Sequence, residues 1–492
     1  MRPSASIILS ALPLVFSAAG VQAKDTPEEY LARIAAIDDA APSIHAVIAV
    51  APAAAIAAAR RSTGPLAGRA VLVKDNIETR DMPTTAGSLA LKNNATGRDA
   101  PLVARLRGAG AVILGKTNLS EWANFRGTSS SSGWSAAGGQ TKNPYAIDRS
   151  PCGSSSGSAA AVAAGLSWAA VGTETDGSIT CPASVNGVVG FKPTVGLVSR
   201  ALVVPISVTQ DTAGPMATSV HDAALLLTAM AGADPADPAT AEAGKHAANF
   251  AAGLAKAKLT GVRVGVMRRQ VGSVRRVAAL FDKAMADMKR AGAEIVEIDF
   301  APSPRLEQAE SAALLFEFRE GIDAYLAALP GSAPIRDLGG LIAFNKAHEA
   351  EEMRWFGQEL FEKALAATDR ATYEKARGDA TRLAGAEGID ALLAKHKVDV
   401  LVAPTTGPAW PIDLVIGDHF LNIGAGSLAA VAGYPHLSVP MGAVEGLPVG
   451  LSFMAGKWAD ARVLRIGAGY ERVRSAILAK PGFQPWREPT GR

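Results

Sequence analysis

Lys74, Ser154 and Ser178 are the residues of this chain whose types and spacing could do chemistry. Lys74 closes the apolar run Val71-Leu72-Val73 and is followed by Asp75-Asn76. Ser154 lies in Cys152-Gly153-Ser154-Ser155-Ser156-Gly157-Ser158, and Ser178 ends Thr173-Glu174-Thr175-Asp176-Gly177-Ser178. A serine hydroxyl is a weak nucleophile at neutral pH and needs an adjacent base. A lysine can be that base only when neutral. Burial in an apolar site disfavours the ammonium, by up to about 3–5 pH units on full burial, and Val71 to Val73 suit such a site. Arginine could not replace it, because its proton is held to above about pH 12. The set describes nucleophilic attack by a serine activated without histidine.

Other constellations fit less well. Gly153-Ser154-Ser155-Ser156-Gly157 matches G-x-S-x-G, but that elbow needs a strand directly before it. Tyr145-Ala146-Ile147-Asp148-Arg149-Ser150-Pro151 is a poor strand, and in a serine-rich stretch the match arises easily. The seven histidines (His45, His221, His246, His348, His396, His419, His436) are scattered, with no H-x-H or H-x-x-x-H pair to hold a metal. Glycine is abundant, yet no G-x-x-x-x-G-K-[ST] loop is present for a phosphate.

The elements that must position these residues read as alternating strands and helices. Thr26-Pro27-Glu28-Glu29 opens a helix with a capping box, and Tyr30, Leu31, Ile34 and Ile37 form its apolar stripe. Alanine-rich residues 46–60 predict another helix, broken by Gly64-Pro65. Ala70 to Val73 is a buried strand with Lys74 at its end, where open α/β sheets place their chemistry. Leu102 to Leu106 is helical and Ala111 to Gly115 is the next strand, a βαβ pattern. The Gly/Ser-rich stretch 127–158 could pass for a linker. It leads straight into Ala159-Ala160-Ala161-Val162-Ala163-Ala164, whose small residues suit close backbone packing. A strand from Trp168 to Gly172 then brings the chain to Ser178.

Residues 231–395 are richer in charge and read as a mostly helical insertion, with helices around Leu280–Met285 and Arg354–Ala367 and one αβ unit between Val262 and Ile298. The core spans 24–230 and 396–492, with later strands at Asp399–Pro404 and Val449–Phe453. A net charge of +3 is too small for nucleic-acid binding by charge alone. Arg2, the apolar run Ile7–Ala19 and Val21-Gln22-Ala23 read as a secretory signal peptide over residues 1–23. The run is short for a bilayer span of about 20 residues, so no membrane insertion is expected after cleavage, and the protein is expected in the periplasm or outside the cell. Export permits a disulfide between Cys152 and Cys181. Two cysteines make no framework, and two small buried apolar side chains is the favoured reading.

The motifs together resemble the amidase signature family, over nearly all of the chain beyond residue 23. Gly190-Phe191-Lys192-Pro193-Thr194, Asp211-Thr212-Ala213-Gly214-Pro215-Met216, Gly433-Tyr434-Pro435-His436-Leu437-Ser438-Val439-Pro440 and Gly446-Leu447-Pro448-Val449-Gly450-Leu451 look like the segments that follow its nucleophile. Asp176-Gly177-Ser178 departs from the two glycines that common members carry. With Gly196-Leu197-Val198-Ser199-Arg200 and Pro205-Ile206-Ser207, it looks most like the peptide amidases, which release ammonia from C-terminal peptide amides.

The resemblance implies an α/β fold: a single domain with a central mixed sheet covered by helices on both faces. It implies a triad of Ser178 (nucleophile), Ser154 (proton relay) and Lys74 (base), with a cis Gly153–Ser154 peptide bond. An oxyanion hole would come from the backbone N–H groups of Thr175, Asp176, Gly177 and Ser178, and Ser155 would support the relay. Asp176 gets no firm role, its side chain being free to point outward. No cofactor and no metal are needed. The substrate would be a peptide amide or another small amide. A general aliphatic or aryl amidase with the same triad, and a catalytically silent amide- or peptide-binding protein, are the alternatives. Oligomeric state is open, with a monomer compatible.

Overall fold

The structure, a computed structural model, describes residues 25–331 and 335–488. The expected signal peptide over residues 1–23 lies outside the described residues. The strands are β1 (Val47–Val50), β2 (Ala70–Lys74), β3 (Val112–Thr117), β4 (Trp134–Ser135), β5 (Gly139–Gln140), β6 (Ala169–Glu174), β7 (Val189–Lys192), β8 (Thr212–Ala217), β9 (Arg263–Met267), β10 (Glu294–Ile298), β11 (Val400–Pro404), β12 (His436–Val444) and β13 (Leu447–Met454). Eleven of them form one sheet in the order β1-β3-β2-β6-β8-β7-β12-β13-β11-β9-β10, while β4 and β5 pair with each other. The sheet is mixed. β2 runs parallel to both β3 and β6, and β9 parallel to β10 and β11; the pairs along β6-β8-β7-β12-β13-β11 are antiparallel.

The sequence patterns account for the central strands. All five residues of β2 and all six of β3 are buried, as continuous apolar runs in a sheet covered on both faces should be. Helix Pro101–Gly108 joins them and buries Leu102, Val103 and Leu106. Helix Ser156–Ala163 is buried from Ser156 through Val162, and its small residues allow that. At Gly157 a Cβ would stand 2.3 Å from the Ala46 carbonyl oxygen, so the backbones meet there only because the residue is glycine. Helix Pro27–Arg33 begins with the Thr26–Glu29 capping box.

Two expectations change. Residues 46–60 contain the expected helix, at Ala53–Ala59, but also an unexpected strand, Val47–Val50 as β1, paired antiparallel with β3. Valine and isoleucine outweigh the alanines there, and Pro52 starts the helix rather than interrupting it. Between Arg354 and Ala367 the helix runs only from Glu359 to Ala366. The segment 231–395 supplies β9 and β10 to one end of the common sheet, with helix Arg275–Arg290 between them. It also supplies helix Arg305–Ala327, which buries Glu310, Glu317 and Phe318. Among the described residues no helix is long and apolar enough to cross a membrane.

Candidate active site

β2 and β6 are parallel neighbours with Val73 opposite Val171, so Lys74 and Thr173 reach the same edge of the sheet. Lys74 is 0% exposed. Its Nζ lies 2.8 Å from Ser154 Oγ, 3.1 Å from Ser155 Oγ, 2.9 Å from Thr173 Oγ1 and 3.3 Å from the Thr173 carbonyl. The Ser155 hydroxyl donates to that carbonyl at 3.0 Å and accepts the Thr173 N–H at 3.2 Å. Its proton is therefore committed, and it can only accept from Lys74. Asn76 Nδ2 donates to Thr173 Oγ1 at 2.9 Å. A neutral amine has two N–H bonds and one lone pair. It can donate to Ser155 and Thr173 and accept the Ser154 hydroxyl proton, so the three short contacts suit the neutral form. Burial pulls Lys74 down from 10.5 to about 7, against the opposing charges of Asp211 and Glu174.

The Gly153–Ser154 peptide bond is cis. A Cβ at Gly153 would come within 2.1 Å of Ser120 Oγ, so the close approach of these loops requires glycine. Ser154 is fully buried, and the N–H of the adjoining Ser155 donates to the Ser178 carbonyl at 3.0 Å. Ser178 borders a cavity of about 270 Å³ whose wall includes Asn124, Phe125, Asp176, Leu314 and Phe420.

The turn from Thr175 to Ser178 is pinned from several sides. Glu174 Oε2 accepts the N–H groups of Ile179 (2.7 Å) and Thr180 (2.9 Å). Asp211 accepts the Thr175 hydroxyl at 2.6 Å and the N–H groups of Ile206 and Ser207, both at 2.8 Å. Gln210 Nε2 bridges the Thr175 carbonyl (3.3 Å) and Glu310 Oε1 (2.8 Å). Gly177 sits at φ 80°, which turns the backbone toward Ser178. Among the described residues the N–H groups of Asp176, Gly177 and Ser178 donate to no protein acceptor, so they are free to face a ligand.

Asp176 is a correction. Its side chain does not point out to solvent. The carboxyl is half-buried with the Ser427 hydroxyl as partner, and burial and the Glu174 charge push it up to about 6 against the pull of Ser427 and Lys192. Glu310, the partner of Gln210, is pushed to about 8 by burial and then by Asp176. Two carboxyl groups near each other resist sharing two charges. His436 is fully buried 2.6 Å from Ser452 Oγ, and burial with the Lys192 charge lowers it to about 3, so it stays neutral. Among the described residues no group of three or more His, Cys, Asp or Glu could hold a metal ion.

The cysteines are a second correction: Cys152 and Cys181 are bonded, with S–S 2.00 Å. Residues flanking the two serine segments face one another across the fold, which a count of two cysteines does not reveal. Thr173, Asn76, Glu174, Asp211 and Glu310 also escaped the sequence reading. Of these, Thr173 and Glu174 carried a signal, since they stand in the same motif as Ser178. Asp211 opens a recognised segment but gave no hint of its contact with Thr175.

The family model described as Amidase matches residues 25–464. The native peptide amidase of Stenotrophomonas maltophilia superposes with a TM-score of 0.87 at 51% identity, covering 93% of this chain and 94% of that one. A peptide amidase in complex with the competitive inhibitor chymostatin superposes with a TM-score of 0.88 at 52% identity, covering 92% and 94%. A probable amidase of Arabidopsis thaliana is 38% identical over 487 residues, 95% of this chain and 90% of its own length. The chain belongs to the amidase signature family. It is an amidase, a hydrolase of carbon–nitrogen amide bonds, built on the family's single domain around a large mixed sheet.

Proposed function

We propose that this amidase removes ammonia from the C-terminal amides of peptides through an acyl-enzyme on Ser178. The observation that carries the reading is the buried Lys74, within hydrogen-bond reach of Ser154, Ser155 and Thr173, with Ser178 bordering an open cavity close by in the fold. In the forward step the Ser178 hydroxyl gives its proton to Ser154, Ser154 gives its own to Lys74, and Ser178 Oγ bonds to the amide carbon. The oxyanion is met by the N–H groups of the Thr175–Ser178 turn. Losing one such donor typically costs about 2.7–4 kcal/mol. Lys74, now an ammonium, returns a proton through Ser154 to the departing nitrogen, and ammonia leaves. A water then attacks the ester along the reverse path, releasing the acid and restoring Ser178.

The mouth of the cavity supports a peptide substrate. Phe420 is 59% exposed while lining the cavity, and Val415, Ile416 and Leu421 of the same loop are also exposed. The loop is braced: Asp413 Oδ1 accepts the N–H groups of Val415 (2.9 Å) and Ile416 (3.0 Å), and Asp418 accepts Ser132 N–H, Ser132 Oγ–H and Trp410 Nε1–H. It offers an apolar ledge for residues preceding the amide. Likeness to two peptide amidases over more than nine-tenths of the chain supports the same reading. The secretory leader expected over residues 1–23 supports a periplasmic or extracellular location for the mature enzyme.

The test is ammonia release from an N-blocked dipeptide amide, a simple aliphatic amide and an aryl amide, side by side. Fast release from the dipeptide amide alone is expected. Equal rates on all three would replace the reading with a general amidase. No release from any, together with no labelling of Ser178 by a serine-reactive phosphonate, would leave only a binding protein.

A further inference from the structure

Two segments carry the serines assigned above, and one covalent bond joins them. Cys152 directly precedes Gly153-Ser154, and Cys181 lies three residues after Ser178. Among the described residues the Ser154 and Ser178 side chains make no hydrogen bond to each other. The segments are held in register by the Ser155 N–H to Ser178 carbonyl bond at 3.0 Å on one side and by the cystine on the other. Each half of the cystine is anchored in turn. The Cys152 N–H donates to Ser150 Oγ at 3.1 Å, and its carbonyl accepts the Ser156 hydroxyl at 2.6 Å. The Cys181 N–H donates to the Gly177 carbonyl at 2.8 Å, in the first turn of helix Thr180–Val185. Val185, Ala409 and Trp410 pack around the pair.

Both cysteines border the catalytic cavity. Cys152 is wholly buried, whereas Cys181 keeps partial exposure. A small thiol arriving through the cavity therefore meets the Cys181 side of the bond.

We propose that the Cys152–Cys181 cystine is a positioning element for the serine relay and a redox-addressable site, cleaved through the substrate cavity by a small dithiol with reversible loss of turnover. The inference rests on the catalytic assignment of Ser154 and Ser178. In the cleavage the attacking thiolate bonds to Cys181 Sγ as the S–S bond breaks, and Cys152 leaves as a thiolate that takes up a proton. The second thiol of the reductant then displaces Cys181, giving two cysteine thiols and the cyclic disulfide of the reductant. The Ser155 N–H to Ser178 carbonyl bond and the two Ser155–Thr173 hydrogen bonds then remain to tie the serine segments, with no covalent link between them. A displacement of about 1 Å at a reacting group costs roughly 10²-fold in rate. The loss falls on acylation, where the two serines react; the apolar ledge touches the cystine's surroundings through Trp410 but keeps its own braces in Asp413 and Asp418.

The experiment uses the mature protein with and without dithiothreitol, at a temperature where melting curves show both forms folded. Free thiols are counted by mass, kcat and KM come from ammonia release by an N-blocked dipeptide amide, and Ser178 labelling is followed with the phosphonate. Reduction should reveal two thiols and lower kcat and the labelling rate together, by roughly ten- to hundredfold, with KM little changed. Reoxidation should restore both. Chymostatin filling the cavity should slow the reduction, and a Cys152→Ala/Cys181→Ala variant should match the reduced enzyme and ignore the dithiol. A reduced enzyme or double variant with full kcat and normal labelling would overturn the positioning role. A reduction rate indifferent to chymostatin would overturn the route through the cavity. Failure of the oxidised protein to label at Ser178 would instead remove the catalytic assignment, and the inference with it.

Discussion

The base of the mechanism titrates within the working range, and that yields a quantitative test. Lys74 falls from 10.5 to about 7 because burial penalises its ammonium form. An unshifted lysine would be neutral in well under one molecule in a thousand at pH 7; at about 7 roughly half the molecules are neutral, a gain of about three orders of magnitude in competent enzyme. Since the neutral amine is the active form, kcat/KM for a dipeptide amide should rise with pH. It should stand near half its plateau around pH 7 and lose about tenfold per pH unit below pH 6.

Two other groups near the cavity titrate in the same window, Asp176 at about 6 and Glu310 at about 8. Both gain charge as pH rises, so their limbs would run in the same direction as that of Lys74. Asp176→Asn and Glu310→Gln separate the three. Each removes one carboxyl proton, yet neither touches the Lys74, Ser154, Ser155 and Thr173 contacts. The assay is the initial rate of ammonia release from pH 5 to 9, with the phosphonate inactivation rate of Ser178 measured in parallel. An acid limb near pH 7 retained in both variants, in both readouts, is the expected outcome. Lys74→Arg should leave no limb and almost no activity, because a guanidinium stays charged throughout. Turnover independent of pH down to 5, or a limb that moves away with Asp176→Asn or Glu310→Gln, would refute Lys74 as the titrating base.

Three further outcomes can be checked. Ser154→Ala should slow turnover by about 10²–10⁴-fold through loss of proton relay, less than Ser178→Ala, which removes the nucleophile; wild-type rates would sink the relay. Glu174→Ala frees the N–H groups of Ile179 and Thr180, so kcat should fall and Tm drop while KM changes little, measured by steady-state kinetics and thermal melting. Phe420→Ala should raise KM for an N-blocked dipeptide amide several-fold, as an aromatic contact worth about 0.5–1.5 kcal/mol is lost, and leave a small aliphatic amide unaffected; equal losses on both would mean the ledge does not bind peptide.

What was legible in the sequence is what lies close along the chain to the reacting atoms. Lys74 closes a run of apolar residues that could only be a buried strand. Ser154 stands between Gly153, where a Cβ would meet Ser120 Oγ at 2.1 Å, and Gly157, where it would meet the Ala46 carbonyl oxygen at 2.3 Å, while Gly177 before Ser178 supplies a φ of 80°. Such constraints are local, and the motif records them. The walls of the cavity are not local. Phe125 comes from the stretch before the Gly/Ser-rich segment, Leu314 from helix Arg305–Ala327, and Phe420 from a loop far beyond both. The half-buried placing of Asp176 depends on Ser427, distant in the chain, and the cystine depends on two loops meeting in space, so neither had a pattern to read. β1 went unforeseen for a related reason: the alanine-rich stretch around it suits either state, and the pairing with β3 decided it. The division has a chemical consequence. Bond cleavage is set by groups within hydrogen-bond reach of Ser178, which one or two short segments can supply. Choice of substrate is set by surfaces several ångströms further out, which only the assembled fold brings together. A sequence therefore discloses the reaction of this enzyme sooner than its substrate, and the residues to vary in seeking that substrate are Asp176, Glu310, Leu314 and Phe420 rather than the serines.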